Sequence, residues 1–196
     1  MTINDQLFAA QAVCLGPIDH EKDPAVEAAW THDSRYLRML TWEPARPLSA
    51  AQVKKKYEKI EKERDEKRSG FYFTIRMRAD DRLVGFVHLP RVEWNNGAAF
   101  LSIGIGRAED RGRGFGSQAL QLALHYAFRE LNLYRMTVVV PEYNRVGLRL
   151  FEQAGFTREV CCRQALFREG RAWDLIHLGL LRKEWLALNS LQEEQA

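Results

Sequence analysis

The pattern of hydrophobic and polar positions changes near residue 70. Before that point, Val53, Tyr57 and Ile60 lie at helical spacing in an otherwise charged stretch, which predicts a helix over 49–68. After Ser69-Gly70, β-branched and aromatic residues become frequent. The pattern then predicts three antiparallel strands, 71–77, 83–89 and 98–106.

The second half of the chain alternates helix and strand. A long helix is predicted from apolar residues at helical spacing, namely Leu120, Leu124, Ala127, Phe128 and Leu131. The run MTVVV at 136–140 predicts a strand, and a helix over 144–153 ends at Gly155. Further strands are predicted at 156–162, 173–180 and 12–15, and a short helix at 24–32. The order of elements predicts an α+β fold.

Composition and charge exclude several classes of protein. With 196 residues, 46% hydrophobic and 28% charged, the chain has the composition of a globular protein, and we expect one domain over 1–196. Lys and Arg number 29 and Asp and Glu 26, so the net charge is only +3. Even the charged run 54–68 has eight basic and five acidic residues. We therefore predict neither a nucleic acid nor a membrane as a partner.

The cysteines indicate a reducing compartment. Cys14, Cys161 and Cys162 are odd in number, and the adjacent pair is poorly placed for a structural disulfide. The five histidines are scattered and no Cys-x-x-Cys spacing occurs, so we predict no metal site. The segment around Asp5 does not resemble a secretory signal, and no apolar run reaches 18 residues. We expect a cytoplasmic location.

A glycine-rich loop lies between a predicted strand and the long helix. Gly112, Gly114 and Gly116 alternate with larger residues, and such a turn directs backbone N–H groups and the positive helix end toward one point, where phosphate binds. Arg111 and Arg113 add charge that can pair with phosphate oxygens. The sequence of this loop matches neither a Walker A loop nor a GxGxxG loop. A flexible turn with solvated arginines is the alternative.

Two segments carry a resemblance to a known family. RGRGFG at 111–116 resembles the Q/R-x-x-G-x-G/A loop of the GNAT superfamily of N-acetyltransferases. NRVGLRLFEQAGF at 144–156, about 30 residues later, resembles the family's N-x-x-A/G-x-x-L-Y/F-x-x-x-G-F segment. The resemblance covers 98–156 best, extends loosely to Trp185, and is nearest to the RimJ/RimL and spermidine acetyltransferase branch. It implies a GNAT-like mixed, mostly antiparallel sheet with helices on both faces.

The resemblance also implies which residues bind acetyl-CoA. Those of the loop and the helix start, which would hold the pyrophosphate, are Arg111, Gly112, Arg113, Gly114, Phe115, Gly116 and Ser117. The strand before the loop would supply backbone hydrogen bonds to the pantetheine arm and the thioester carbonyl, through Ile103, Gly104 and Ile105. Asn144 would hydrogen-bond the pantetheine, although a helix N-cap explains this residue equally well.

One position departs from the family pattern. Much of the family has a tyrosine near the cofactor sulfur, taken as the general acid, where this chain has Phe151. We expect Phe151 to pack against the cofactor arm. Acid catalysis is then supplied by Tyr143, Ser102, Cys161 or water, or it is dispensable, because a thiol with a pKa of about 8.5 leaves readily as an anion.

The general base is equally open. Glu93, His88 and Glu142 lie in segments that could border an acceptor cleft, although each is also explained as an ordinary surface or strand residue. At pH 7.5 an α-amine with a pKa of about 7.7 is roughly 40% neutral, whereas a lysine amine with a pKa of about 10.4 is roughly 0.1% neutral. A chain without an evident acid–base pair therefore fits an α-amine better.

These expectations combine into one functional prediction. The chain transfers acetyl from acetyl-CoA to a primary amine in a ternary complex, and the favoured acceptor is the N-terminal α-amine of a protein or peptide. A non-catalytic CoA-binding module is the first alternative. Acetylation of a polyamine is ranked lower, because the segments expected to line the cleft have few carboxylates. The sequence is compatible with a homodimer.

Overall fold

The computed structural model describes residues 6–67 and 69–193. Asp5 and the predicted helix end at Arg68 lie outside these residues. The strands are β1 (Val13–Gly16), β2 (Phe71–Met77), β3 (Leu83–Leu89), β4 (Val92–Glu93), β5 (Ala98–Phe100), β6 (Ser102–Ile105), β7 (Arg135–Pro141), β8 (Thr157–Arg168) and β9 (Arg171–Leu181). The α-helices are α1 (Asp23–Trp30), α2 (Ser34–Leu40), α3 (Ala50–Lys67), α4 (Phe115–His125), α5 (Arg145–Gln153) and α6 (Arg182–Glu193).

The strands form two sheets. The first has the order β1-β2-β3-β6 and the second the order β4-β5-β7-β9-β8. All strand pairs are antiparallel except β5 with β7, which is parallel. This arrangement confirms the predicted α+β fold with a mixed, mostly antiparallel pairing of strands.

The predicted strand 98–106 is wrong in one respect, because it divides at Leu101. Residues before Leu101 pair with β7, and the N–H of Leu101 donates the last hydrogen bond to the Thr137 carbonyl at 2.9 Å. Residues after it pair with β3 in the other sheet. Both halves are β-rich and apolar, so the pattern of residues alone does not show that the chain changes partners.

Helices cover both faces of the first sheet. On one face α4 packs its apolar stripe into the largest hydrophobic cluster, which also contains residues of β7 and β9 and so joins the two sheets. On the other face α1, α2 and α3 form two smaller clusters, one around Trp30 and Phe86 and one around Val53 and Tyr57. Val53 and Tyr57 are fully buried, as the predicted stripe on α3 requires.

Short or terminal elements differ most from the prediction. Helices α2 and α6 and strand β4 were not predicted. The long helix predicted to reach Leu131 changes from α4 to a π-helical turn at Tyr126–Glu130. Helix α2 has only seven residues and begins where the Asp33 carboxylate accepts hydrogen bonds from the N–H groups of Arg35 and Tyr36. In the described part of the chain, no helix is both long and apolar enough to cross a membrane.

Candidate functional site

The glycine-rich loop has the geometry of an anion site. Gly112 and Gly114 have φ angles of +74° and +81°, values that residues with a Cβ rarely adopt. Gly114 is the N-cap of α4, and its carbonyl accepts the first helical hydrogen bond from Gln118 N–H at 3.0 Å. Within residues 6–67 and 69–193, none accepts a hydrogen bond from the backbone N–H groups of residues 112–117. Unpaired backbone donors beside the positive end of a helix are the groups that bind phosphate in proteins.

An open wedge between two strands leads to the loop. β5 and β7 are paired up to Thr137, and beyond it β6 follows the first sheet while β7 stays in the second. Gly106 N–H donates to the Val84 carbonyl at 2.9 Å, and hydrogen-bonded pairs alternate along an antiparallel ladder. The main-chain groups of Ile103 and Ile105 therefore point away from β3 and toward the wedge.

The loop is anchored by a buried ion pair. Asp110, in the turn that precedes the loop, is 1% exposed and accepts two hydrogen bonds from the Arg82 guanidinium at 2.7 and 2.8 Å. The Arg82 hydrogen bonds outweigh burial and hold the pKa of Asp110 below its usual value. Arg113, which is half-exposed, lies 3.8 Å from the same carboxylate and stacks on the Phe115 ring. Arg113 is therefore a loop residue whose half-exposed guanidinium can turn toward a ligand.

Arg111 connects the loop to helix α2. Its Nε donates to the Ile105 carbonyl at 3.1 Å, and its Nη2 donates to the Gly106 carbonyl and to Asp33 Oδ2 at 3.0 Å. The guanidinium also lies 5.4 Å from the centre of the Tyr36 ring. Burial alone would raise the pKa of Asp33, but the Tyr36 N–H and Arg111 lower it. The role of Arg111 toward phosphate stays a prediction, and here its guanidinium serves as a clamp.

The far end of α2 is tied to the start of α5. Asn144 is the N-cap of α5, because its Oδ1 accepts from Gly147 N–H at 2.9 Å, and its Nδ2 donates to the Met39 carbonyl at 2.9 Å. The Tyr143 hydroxyl donates to the Arg38 carbonyl at 2.8 Å, so its proton is engaged. Helix α2 therefore bridges the wedge, from the Arg111 clamp on the β6 side to α5 after β7.

Phe151 is a core residue of α5. It is 6% exposed, belongs to the largest hydrophobic cluster and contacts the Phe156 ring at 5.4 Å between centroids. A Cβ added at Gly116, at the start of α4, would lie at ordinary contact distances from Ile105 and Leu150. The α5 segment thus packs beside the loop, and the placement of Phe151 against a cofactor arm stays a prediction.

The face of the first sheet that carries α1, α2 and α3 presents a row of polar side chains. Tyr72, His88 and Ser102 are register partners on three neighbouring strands, so their side chains lie on one face. The Tyr72 and His88 rings are 5.3 Å apart. Burial, and secondarily the charge of Lys56, lowers the pKa of His88 to about 4, so this side chain is neutral at pH 7.

Next to this row lies a buried cluster around Glu27 that the sequence did not predict. The Glu27 carboxylate, which is buried, accepts hydrogen bonds from the Tyr57 hydroxyl at 2.5 Å, the Tyr72 hydroxyl at 2.8 Å and Lys56 Nζ at 2.5 Å. Burial followed by the Glu27 charge raises the pKa of Tyr72 above its usual value. Its members come from α1, α3 and β2, so no spacing in the sequence indicates their contact. The one signal in the sequence is an acidic residue, Glu27, in an apolar stripe of the predicted helix 24–32.

The other candidates lie apart from this row. Glu93 is on β4 of the second sheet, where it pairs with Arg91 at 2.5 Å. Glu142 accepts from Asp174 N–H, and Cys161 Sγ donates to the Asp174 carboxylate at 3.1 Å. That hydrogen bond raises the pKa of the exposed Cys161 thiol. No group of three or more His, Cys, Asp or Glu in the described ranges has the arrangement of a metal site.

Comparison with known proteins identifies the family. Residues 13–157 match the acetyltransferase (GNAT) domain model, and the chain belongs to that family. Among curated relatives, the spermidine N(1)-acetyltransferase of Vibrio cholerae is 30% identical over 108 residues, which cover 55% of this chain and 62% of that protein. Two other curated relatives, the N-acetyltransferase p20 of Bacillus licheniformis and the probable N-acetyltransferase YjcK of Bacillus subtilis, are matched over only 63% and 56% of their lengths.

Solved structures share the fold. Spermidine N-acetyltransferase from Vibrio cholerae, in complex with CoA and spermine, has a TM-score of 0.77 at 22% identity, covering 89% of this chain and 98% of that one. RimL, the ribosomal L7/L12 alpha-N-protein acetyltransferase, in complex with coenzyme A, has a TM-score of 0.76 at 18% identity, covering 88% and 95%. At these identities the likeness establishes the fold alone.

Proposed function

We propose that the chain is an N-acetyltransferase that transfers the acetyl group of acetyl-CoA directly to the N-terminal α-amine of a protein or peptide. The observation that carries this proposal is the continuous stretch 102–117, in which an open strand edge leads into a loop of unpaired backbone N–H groups. An elongated ligand with a diphosphate at one end and an amide-bearing arm at the other fits this stretch.

The residues present fit acetyl-CoA, which would supply an activated acyl group. The N–H groups of residues 112–117 would hold the diphosphate, and the half-exposed Arg113 would add charge. The main chain of Ile103 would hydrogen-bond the pantetheine arm, because its N–H and carbonyl point toward the wedge. Recognition of the cofactor by main-chain groups explains why this part of the site is encoded in a short, contiguous motif.

The weak basicity of the candidate proton acceptor, His88, limits which amines the site can acetylate. His88 has a pKa of about 4 and is a weak base. A lysine amine, roughly 0.1% neutral at pH 7.5, needs a strong base, whereas roughly 40% of an α-amine reaches the site as the free nucleophile. The row of Tyr72, His88 and Ser102 then needs only to accept a proton late in the reaction. The weak basicity of His88 therefore favours an α-amine over a lysine side chain.

A polyamine is the second candidate acceptor, supported by the relatives named for spermidine. The ion pair of Glu27 with Lys56 argues against a polyamine, because it neutralises the buried carboxylate nearest to the polar row. The non-catalytic alternative is supported by Phe151, which has no hydroxyl, and by Tyr143, whose hydroxyl is engaged by Arg38.

Turnover measurements separate these alternatives. CoA release from acetyl-CoA is followed with three acceptors. The first is a lysine-free peptide with a free α-amine, the second is that peptide with an acetylated N-terminus and an added lysine, and the third is spermidine. We expect the first to have the highest kcat/KM. A preference for spermidine would overturn the assigned acceptor, and CoA binding without release from any acceptor would favour the non-catalytic module. The single domain over 1–196, the cytoplasmic location and the homodimer stay predictions.

A further inference from the structure

Lys56 lies in a pocket with the chemistry of an ammonium-binding site. Its Nζ is 2.5 Å from Glu27 Oε1 and within 6.0 Å of three aromatic ring centres, those of Tyr57 (6.0 Å), Tyr72 (5.6 Å) and Phe86 (5.4 Å). Aromatic faces combined with a carboxylate are how proteins recognise alkylammonium groups. In this chain the group that fills the site comes from the protein itself.

The pocket is held together by contacts other than those of Lys56. The Tyr57 and Tyr72 hydroxyls both donate to Glu27 Oε2, which leaves Oε1 for the ammonium. The Tyr72 ring also stacks on the Phe86 ring at 5.5 Å. The Lys56 side chain is 38% exposed, whereas that of Glu27 is 6% exposed. The stem of Lys56 therefore reaches in from solvent, and its removal would leave a walled carboxylate that a soluble amine could reach.

The pocket lies on the same face as the polar row. Phe86 is the register partner of Gly104 on β6, and Tyr72 is separated from Ser102 only by His88. Neighbouring strands are about 4.8 Å apart, so the pocket is roughly 5 to 10 Å from the strand that borders the wedge. A cation held there would belong to an acceptor whose reacting amine lies at β6.

We propose that Glu27, Tyr57, Tyr72 and Phe86 form an alkylammonium subsite of the acceptor region, and that Lys56 fills it and so excludes acceptors with a second cationic group. The acceptor part of this inference rests on the proposed function; the pocket itself does not. Lys56 is thus a specificity-determining residue that makes the chain select amines with a single positive charge over diamines and polyamines.

Ligand-dependent stability tests the pocket without any turnover. In Lys56→Ala, n-butylammonium chloride at about 20 mM should raise the Tm by at least about 2 °C more than sodium chloride does, because the ammonium binds only the folded state. The wild type and Lys55→Ala, which changes an exposed neighbour on α3, should show no such difference. The double variant K56A/E27Q should lose the effect, because the carboxylate is gone.

Each outcome of this titration decides the question. If Lys56→Ala is unfolded alone and folds on addition of butylammonium, the pocket is supported equally. Equal responses to butylammonium and sodium, or a variant that stays unfolded with the amine present, would overturn the proposal.

Acceptor selectivity tests the second half of the inference. Lys56→Ala should gain at least about tenfold in kcat/KM for a diamine relative to the wild type, a change of the size of one desolvated cation–π contact. The ratio of kcat/KM for the diamine to kcat/KM for the peptide α-amine measures this preference, and Lys56→Arg, which keeps a cation in the pocket, should leave the ratio at its wild-type value. An unchanged preference in Lys56→Ala would contradict the assigned selectivity. A wild type inactive on every amine would instead contradict the proposed function, and the stability result would still stand.

Discussion

The proposed cofactor side and the proposed acceptor side of this molecule are built in different ways. The cofactor side is made of main-chain groups from one stretch, residues 102–117. The acceptor side is made of side chains from α1, α3, β2 and β3, which meet only after folding. Main-chain groups of one stretch leave a local motif in the sequence, whereas side chains assembled from separate elements do not.

The largest effect is expected on the acceptor side. Glu27→Ala removes the acceptor of two tyrosine hydroxyls and the partner of Lys56, so the free energy of unfolding should fall by about 3 kcal/mol. Urea unfolding measures this loss, and the exposed Glu58→Ala should stay within about 0.5 kcal/mol of the wild type. The affinity of the folded variant for CoA should be unchanged within about twofold, which keeps the two sides distinct. A loss of CoA affinity as large as the loss of stability would show that the two sides are one unit.

The cofactor side should respond to backbone strain in the loop. Gly114→Ala places a Cβ at φ +81° and should cost about 1 to 2 kcal/mol of stability and at least about tenfold in CoA affinity. The matched control is Gly170→Ala in the β8–β9 turn, at φ +70°, where an added Cβ meets no atom within 4 Å; at Gly114 it would meet only Gln118 Nε2, at 4.0 Å. The control should share the strain but keep the CoA affinity, as measured by calorimetry. Equal affinity losses in both variants would contradict the assignment of the loop.

The difference between main-chain groups and assembled side chains also determines how much of the site can be predicted from the sequence. The strand–loop–helix order and the position of the glycine-rich loop were predictable, because helix and strand periods and glycine spacing are local signals. The change of partners at Leu101, the Arg82–Asp110 anchor and the Arg111–Asp33 clamp were not, because each depends on residues from separate elements. Asn144 shows an intermediate case, since its N-cap role was predictable and its bond to the Met39 carbonyl was not.

A smaller effect distinguishes two roles of arginine at the loop. Arg111 already binds two carbonyls and Asp33, so Arg111→Ala should weaken CoA and a pantetheine lacking the phosphates by the same factor, about tenfold. Arg113→Ala should weaken CoA alone, because its half-exposed guanidinium is free to meet phosphate. Competition binding with both ligands measures the two factors. A loss specific to CoA in Arg111→Ala would show that its guanidinium binds phosphate instead.

The smallest effect concerns pH on the acceptor side. His88 has a pKa of about 4 in the folded chain against the ordinary value of 6.5, so the folded state binds its proton less readily than the unfolded state. Its contribution to stability is therefore present above pH 6.5 and is lost as the pH falls toward 4. His88→Gln should flatten the dependence of Tm on pH in this window, and the exposed His32→Gln should not. An unchanged slope in His88→Gln would contradict the burial of a neutral histidine.

Direct titration of CoA into the wild-type chain tests the central claim, that the unpaired N–H groups of residues 112–117 and the open edge of β6 form the cofactor site. Calorimetry should show one CoA bound per chain, and the Tm should rise with CoA concentration. The absence of binding at millimolar CoA would show that these groups do not form a cofactor site.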